Sequence, residues 1–350
     1  YLLGAGASFD ALPIVEKIPE RLASFASQFK IYDFEKVIKD KQQSNIAEKH
    51  LFRFDNLDAQ RREYEKIKKF YEDIIWLKVE SKNHSSIDTF AKKLYLKNDS
   101  NLKKLKYILS CFFLYEQTRN FDNRYDSFFA SILESITEIP KNLKIISWNY
   151  DSQLEIAFSN FTDYSIEKSR EVLNVLSKGD KIQDDLDINK FTVFKVNGTT
   201  NVSNKTEGLY DIIPDFKVTQ ESLVGSFLEI YSSQILWRSH ESRMSFAWEK
   251  PEEDSIYKLR ISGSIRNTDI LVVIGYSFPF FNRKTDKFIL NSMRNLKKVY
   301  VQDPNNAEDI IEKIKGFFPN SNKNFAISDP KSIEFIPQIF KDQFFIPIEF

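Results

Sequence analysis

Residues 1–8 read YLLGAGAS, an apolar strand that runs directly into a turn of small residues. Neither Gly4 nor Gly6 carries a Cβ, so the backbone of Gly4-Ala5-Gly6-Ala7-Ser8 can come within contact distance of a ligand. A helix following such a turn would aim its free N–H groups and the positive end of its dipole at the same place, the common way of holding a pyrophosphate. The full dinucleotide fingerprint G-x-G-x-x-G wants a third glycine, and Phe9 stands in that position. The stretch therefore carries two readings, an anion cradle and an ordinary strand-to-helix turn.

Four later segments repeat the plan of an apolar run ending in polar residues: NLKIISWNYD (142–151), FTVFKVNGTTN (191–201), TDILVVIGYS (268–277) and KKVYVQDPNN (297–306). Short β-branched runs of this kind are the mark of buried parallel strands. Helical patterns lie between them, DSQLEIAF (151–158) and AEDIIEKIKGFF (307–318) among them. Five strands separated by helices predict an α/β fold, a Rossmann-like doubly wound parallel sheet whose ligands bind outside the carboxyl ends of the strands. The five polar clusters are then expected to converge.

Residues 14–140 have apolar positions at helical spacing and few breakers past Pro19, which predicts a large helical insertion. Ser85 or Ser86 is the expected cap of the helix SSIDTFAKKLYL, and Ser100 that of SNLKKLKYILSCFFLYEQ. The mixed charges of DAQRREYEKIKKFYEDII read as a solvated face. The expected partition is a core of 1–13, 141–200 and 265–316, a helical insertion subdomain of 14–140 and 205–264, and a C-terminal extension, 317–350, read as an irregular packed tail. Residues 177–190 and 201–209 read as surface loops, and His240 falls in a helical region.

Fifty basic residues balance fifty acidic ones, so there is no global electrostatic reason to expect nucleic acid or an anionic membrane as the main partner. The single cysteine, Cys111, cannot close an internal disulfide and fits a reducing, cytoplasmic compartment. The three histidines, His50, His84 and His240, lack metal-ligand spacing, so no metal is expected. The most apolar run, ILVVIGYSFPFF (270–281), is too short for a membrane span and is broken by Gly275, Ser277 and Pro279. No secretory leader is visible, and an opening strand cut short is expected because Tyr1 is not a methionine.

The motifs GAGAS (4–8), SWNYD (147–151), FKVNGT (194–199), VIGYSFP (273–279) and VQDPN (301–305), in this order, resemble the sirtuin-like NAD-binding domain, in the branch found in prokaryotic antiphage defence proteins. The resemblance implies that the sheet and a helical subdomain enclose NAD+ as substrate and hydrolyse it to ADP-ribose and nicotinamide, a depletion that stops the infected cell. It also implies work with an activator or a partner protein, or self-assembly into oligomers. Carried over, Gly4, Ala5, Gly6, Ala7 and Ser8 match the pyrophosphate loop, and Asn149 and Asp151 the Asn-x-Asp pair beside the nicotinamide ribose. Gly275 and Ser277 match the segment lining the adenosine half, with Asp303 and Asn305 at the adenosine end.

One position departs from the family. Where most members read lysine, apolar, histidine, glycine, this chain reads Lys195-Val196-Asn197-Gly198, followed by Thr199. An asparagine cannot take up a proton near neutral pH as an imidazole can. Asn197 therefore either positions water in an enzyme without the usual base, or marks a module that binds NAD+ or ADP-ribose without turnover. Cleavage releases neutral nicotinamide and needs no acid, so Asp151 beside the developing cation and Asn149 orienting ribose or water would carry much of the work. Plainer roles stand beside these: Asp151 capping the helix that follows, Asn149 satisfying a turn, Gly275 permitting close packing. Protein deacylation is disfavoured, because a four-cysteine zinc module and the base histidine are both missing.

Overall fold

A computed structural model describes residues 1–41, 43–135, 138–178, 187, 189–204, 208–210, 220–236, 240–246, 248–249, 255–318 and 332–349. The strands are β1 (Leu2–Leu3), β2 (Lys144–Ser147), β3 (Val175–Ser177), β4 (Thr192–Lys195), β5 (Gly198–Asn204), β6 (Gly208–Tyr210), β7 (His240–Met244), β8 (Ile270–Ile274), β9 (Lys298–Gln302) and β10 (Glu334–Gln338). The helices are α1 (Ile18–Ser27), α2 (Phe34–Asp40), α3 (Ile46–Leu51), α4 (Leu57–Asn83), α5 (Ile87–Leu96), α6 (Asn101–Gln117), α7 (Asn123–Ile132), α8 (Gln153–Thr162), α9 (Ile166–Val172), α10 (Gln220–Leu236), α11 (Ser255–Ile265), α12 (Arg283–Ser292) and α13 (Ala307–Lys315).

The chain forms two compact units. The first comprises Tyr1–Phe9, Asp122–Thr199 and Ser245–Phe350; the second comprises Asp10–Phe121 and Thr200–Met244. The first holds a seven-stranded sheet in the order β10-β9-β8-β1-β2-β4-β3, with its neighbours parallel. In the central register Leu2 lies opposite Ile146 on β2 and Val273 on β8. From β1 the chain fills one side of the sheet through β2, β3 and β4, then crosses to build β8, β9 and β10 on the other, so β1 and β8 flank the topological switch point.

Both faces of this sheet are covered, as strands apolar on both sides require. Leu2, Ile146, Phe194, Val273 and Val299 pack in one cluster with Tyr257 and Ile261 of α11, Ile289 and Leu290 of α12, and Ile310 and Ile314 of α13. Tyr1 turns to the opposite face and meets Phe128 of α7 edge-on at 5.2 Å. The fold is the expected doubly wound, Rossmann-like α/β sheet.

Several elements differ from the sequence reading. The sheet has seven strands rather than five, because β3 and β10 were not recognised. The first is only three residues long, and the second carries Pro337 inside the strand. Glu334 N–H donates to Lys297 O and Gln338 O accepts from Asp303 N–H, so the alternate position, Pro337, faces away from β9 and its missing N–H costs no ladder bond. The C-terminal stretch thus closes the sheet edge over 334–338 instead of being irregular there, while 319–331 lie outside the described residues. Helices α7 and α11, expected in the insertion, belong to the sheet unit because they bury Phe128, Tyr257 and Ile261 with it.

The second unit is built on aromatic packing. Phe25 of α1 contacts Phe70 of α4, and Phe112 and Tyr115 of α6, with ring centroids 4.9–6.1 Å apart. The Tyr231 hydroxyl of α10 donates to Asp73 of α4, which also pairs with Lys104 at 3.2 Å. Ser86 caps α5 by accepting from Thr89 N–H at 3.1 Å. At α6 the expected Ser100 makes no cap bond, and Asp99 accepts from Asn101 N–H instead. This unit also holds a small sheet in the order β6-β5-β7. Residues 201–204 and 208–209, read as loop, are therefore strand, with 205–207 outside the described residues; His240 begins β7 and is not helical, since ladder pairing outweighs local preference. Of the expected loop 177–190, Ser177 ends β3 and residues 179–186 and 188 lie outside the described residues. Among the described residues no helix is long and apolar enough to cross a membrane.

Candidate functional site

The loop after β1 is a 3₁₀ turn over Ala5–Ser8. Gly4 N–H donates to Ile274 O at 3.0 Å and Gly6 N–H to Gly275 O at 2.9 Å. A Cβ at Gly4 would lie 2.6 Å from Gly275 O, and one at Gly6 2.7 Å from Gly275 Cα. Gly275, at φ +60°, would place a Cβ 2.4 Å from the Gly6 carbonyl carbon. The three glycines thus let the β1 and β8 loops mate backbone to backbone, and the room left by their missing side chains is filled by the opposite loop rather than kept for an outside group. Nor does a long helix follow the turn, since α1 begins only at Ile18, in the second unit, so the expected dipole cradle is not built.

Ser8 is the centre of a buried polar network. Its hydroxyl lies 2.8 Å from Tyr125 Oη of α7 and accepts from Asn149 Nδ2 at 3.2 Å. It also bonds the Asp151 carboxylate. An amide N–H only donates, so Ser8 receives a bond from Asn149; with Asp151 ionised, Ser8 gives its proton to the carboxylate and receives a second bond from Tyr125. Asn149 Nδ2 donates as well to Gly4 O at 2.9 Å. Arg124, paired with Asp122 at 2.5 Å, donates to Gly6 O at 3.2 Å and lies 4.3 Å from the Phe9 ring. Every element of the opening loop is held from the sheet unit.

Asp151 is nearly fully buried, and burial pushes its carboxyl above the ordinary range against the pull of Lys195. Its Oδ1 accepts from Gln153 N–H at 3.1 Å, so it does cap α8, whose preceding residue Ser152 makes no side-chain cap bond. Lys195, the last residue of β4, donates to the Asp151 carbonyl and to Glu155 Oε2 at 3.2 Å. Asn197 donates from Nδ2 to Trp148 O at 2.9 Å, while its Oδ1 is buried with no hydrogen-bond partner among the described residues. Gly198, at φ +73°, turns the chain from β4 into β5, and Thr199 beside it is buried.

On the β8 side Trp148 stacks on Tyr276, with ring centroids 5.2 Å apart. Tyr276 Oη accepts from Asn282 Nδ2 at 3.1 Å and donates to Asp286 Oδ1 at 2.9 Å. The other oxygen of Asp286 is buried with no hydrogen-bond partner among the described residues. Burial pushes this carboxyl up to about 8, opposed only by the Tyr276 bond. At the end of β9, Asp303 Oδ1 accepts from Asn305 and Asn306 N–H at 3.0 and 2.8 Å, an Asx turn that opens α13. Ser277 and Asp303 line a cavity of about 600 Å³ with Asp309, Glu312 and Lys313. Asn305 is exposed and outside that lining. A cavity of about 650 Å³ lined by Leu143, Lys144 and Ile270 lies at the opposite, amino ends of the strands, away from the end at which open α/β sheets bind ligands.

The structure therefore brings Gly4, Gly6, Ser8, Asn149, Asp151 and Gly275 into direct contact, attaches Asn197 through Trp148, and sets Ser277 and Asp303 together at the next strand end. Sequence reasoning missed Lys195, Glu155, Tyr125 and Arg124. Glu155 stands in the first turn of α8, just past the Asp151 that caps it; Tyr125, 117 residues from Ser8, has no local signal. The three histidines all belong to the second unit. Among the described residues no three His, Cys, Asp or Glu side chains gather closely enough to hold a metal ion. Compared with protein-family models and with curated proteins, the chain matches none.

Two outcomes follow from this geometry. Gly275→Ala adds both a left-handed-region penalty and a backbone clash, and is expected to lower unfolding stability by about 2–4 kcal/mol in denaturant titration. Asp286 keeps its proton to about pH 8 when folded, but to about pH 4 when unfolded. Its contribution is complete below the unfolded value and is lost as pH rises toward 8. The Asp286→Asn protein is expected to lose that downward slope between pH 4 and 8 in urea unfolding measured across the range.

Proposed function

We propose that the sheet unit binds NAD+ at the carboxyl ends of β1, β2, β4, β8 and β9 and hydrolyses it to ADP-ribose and nicotinamide. The observation that carries this reading is the buried network in which Ser8, Asn149 and Asp151, from two separate strand ends, meet at the switch point of a doubly wound sheet. The likeness of five strand-end motifs to sirtuin-like domains of antiphage defence supports the choice of ligand, and with it a cytoplasmic effector that depletes NAD+ during abortive infection, working as an oligomer or with an activating partner.

In the reaction water adds to C1′ of the nicotinamide ribose, the C–N bond breaks with its electron pair going to nicotinamide, and one proton is released. Positive charge builds on the ribose before water adds. The Asp151 carboxyl, whose ionised form Lys195 and the Ser8 hydroxyl favour against burial, is the group suited to favour that charge. Asn149 holds the loop against which the substrate lies. The carboxylates of Asp303, Asp309 and Glu312 suit the hydroxyl donors of the adenosine half.

A second reading rests on Asn197. Its amide nitrogen is committed to Trp148 O and it cannot titrate, which favours a module that binds NAD+ or ADP-ribose without cleaving it. Nicotinamide release from NAD+ by the purified protein, with and without candidate activators, decides between them. Hydrolysis is expected, with Asn149→Ala lowering it by about 10²-fold or more while the protein stays folded by circular dichroism. Calorimetric binding without release, together with release gained in Asn197→His, would establish the binding module in its place.

A further inference from the structure

Lys195, Glu155 and Asp151 are 1%, 0% and 3% exposed. Two carboxyl groups share one amine in this buried cluster, and among the described residues Glu155 Oε1 has no hydrogen-bond partner. Stability alone is a poor reason to keep such a group, since apolar residues of similar volume commonly serve a core as well as an ion pair does. The geometry gives a better one. Lys195 spends one N–H on the main-chain carbonyl of Asp151 and another on Glu155. Two residues further along the same strand end, Asn197 holds the carbonyl of Trp148. The end of β4 therefore grips the turn after β2 on both sides of Asn149, and that turn in its turn holds Gly4 and Ser8.

We infer that Lys195, with Glu155 as its counter-ion, is a positioning residue that holds the 148–151 turn so that Asn149 and Asp151 face the reacting ribose. The inference rests on the NAD+ reading and adds to it a residue that touches no substrate. A purely structural ion pair would fix the turn and nothing more, whereas Lys195 also acts on the charge of Asp151. The groups facing that carboxyl are Lys195, Gln153 N–H and the Ser8 hydroxyl, which favour its ionised form, and Glu155, which together with burial opposes it; the Tyr125 phenol, bound to Ser8, also acts on it electrostatically. Taking away the ammonium makes Asp151 harder to ionise, so the pH at which activity is half lost on the acid side must rise. Taking away the Glu155 charge must lower it.

The test is a pH profile of nicotinamide release from NAD+ for the wild type, Lys195→Met/Glu155→Leu and Glu155→Gln, with unfolding midpoints measured alongside. The double variant removes the ion pair as a unit and leaves Asp151 with Gln153 N–H and the Ser8 hydroxyl; because Lys195 acts on Asp151 more strongly than Glu155 does, it is expected to stay folded, to keep its KM within about threefold, to lose about tenfold or more in kcat, and to move the acidic limb up by about one pH unit. Glu155→Gln is expected to move it down, and this variant decides the matter if the double variant does not fold. A folded double variant with wild-type kcat, or limbs that do not move in opposite directions, overturns the inference while the hydrolase reading stands. A wild type that releases no nicotinamide overturns both.

Discussion

The closeness of Gly6 and Gly275 is the constraint on which the rest of the sheet unit depends. With a Cβ on either residue the loops after β1 and β8 could not share a ladder of backbone bonds, and the opening strand, two residues long, would keep its pairing with β2 but lose its loop contact to β8. Because β1 is the middle strand, an error there would displace β2 and β8 together. The small residues of GAGAS therefore act first on architecture, and any ligand binds over a floor they have already closed.

From that floor the polar contacts run strand end to strand end. Lys195 and Asn197 on the β4 side hold the turn after β2, that turn holds Gly4 and Ser8 through Asn149 and Asp151, and Gly4 and Gly6 hold the β8 loop. Trp148 closes the path by stacking on Tyr276. Nearly all of these groups are buried, where a half-satisfied polar network costs more than an apolar core, so each link is under pressure to be complete. Among the described residues, Asn197 Oδ1, Glu155 Oε1 and Trp148 Nε1 lack hydrogen-bond partners. Such orphans are uncommon in stable interiors, and here they stand at the end of β4, on α8 and in the turn after β2.

Much of this was legible in the chain because the information was local. Alternation between apolar runs and helical spacing marked β2, β4, β8 and β9, and of the polar residues that end them the fold joins Asn149 and Asp151 to Ser8, ties Asn197 to Trp148 and leaves Asn305 exposed. What was not legible was long-range or exceptional. Tyr125 reaches Ser8 only because α7 packs under the sheet, and nothing near residue 125 says so. Lys195 is visible as the lysine of the Lys-Val-Asn-Gly motif, but nothing near it in sequence says that Glu155 lies opposite. The Gly4-Gly6 pattern was read for a ligand when its partner was Gly275, because the reason for a glycine, unlike its presence, is written in whatever lies across from it.

The outward register of Pro337 on β10 also bears on how copies of this protein can meet. An approaching strand would find no amide hydrogen at that point of the edge, and β3 offers only three residues at the other. Growth of the large sheet from molecule to molecule by main-chain ladders is thereby discouraged at both margins. A filament or ring of this chain would be cemented by side-chain surfaces, whose specificity can be tuned and whose assembly can be reversed.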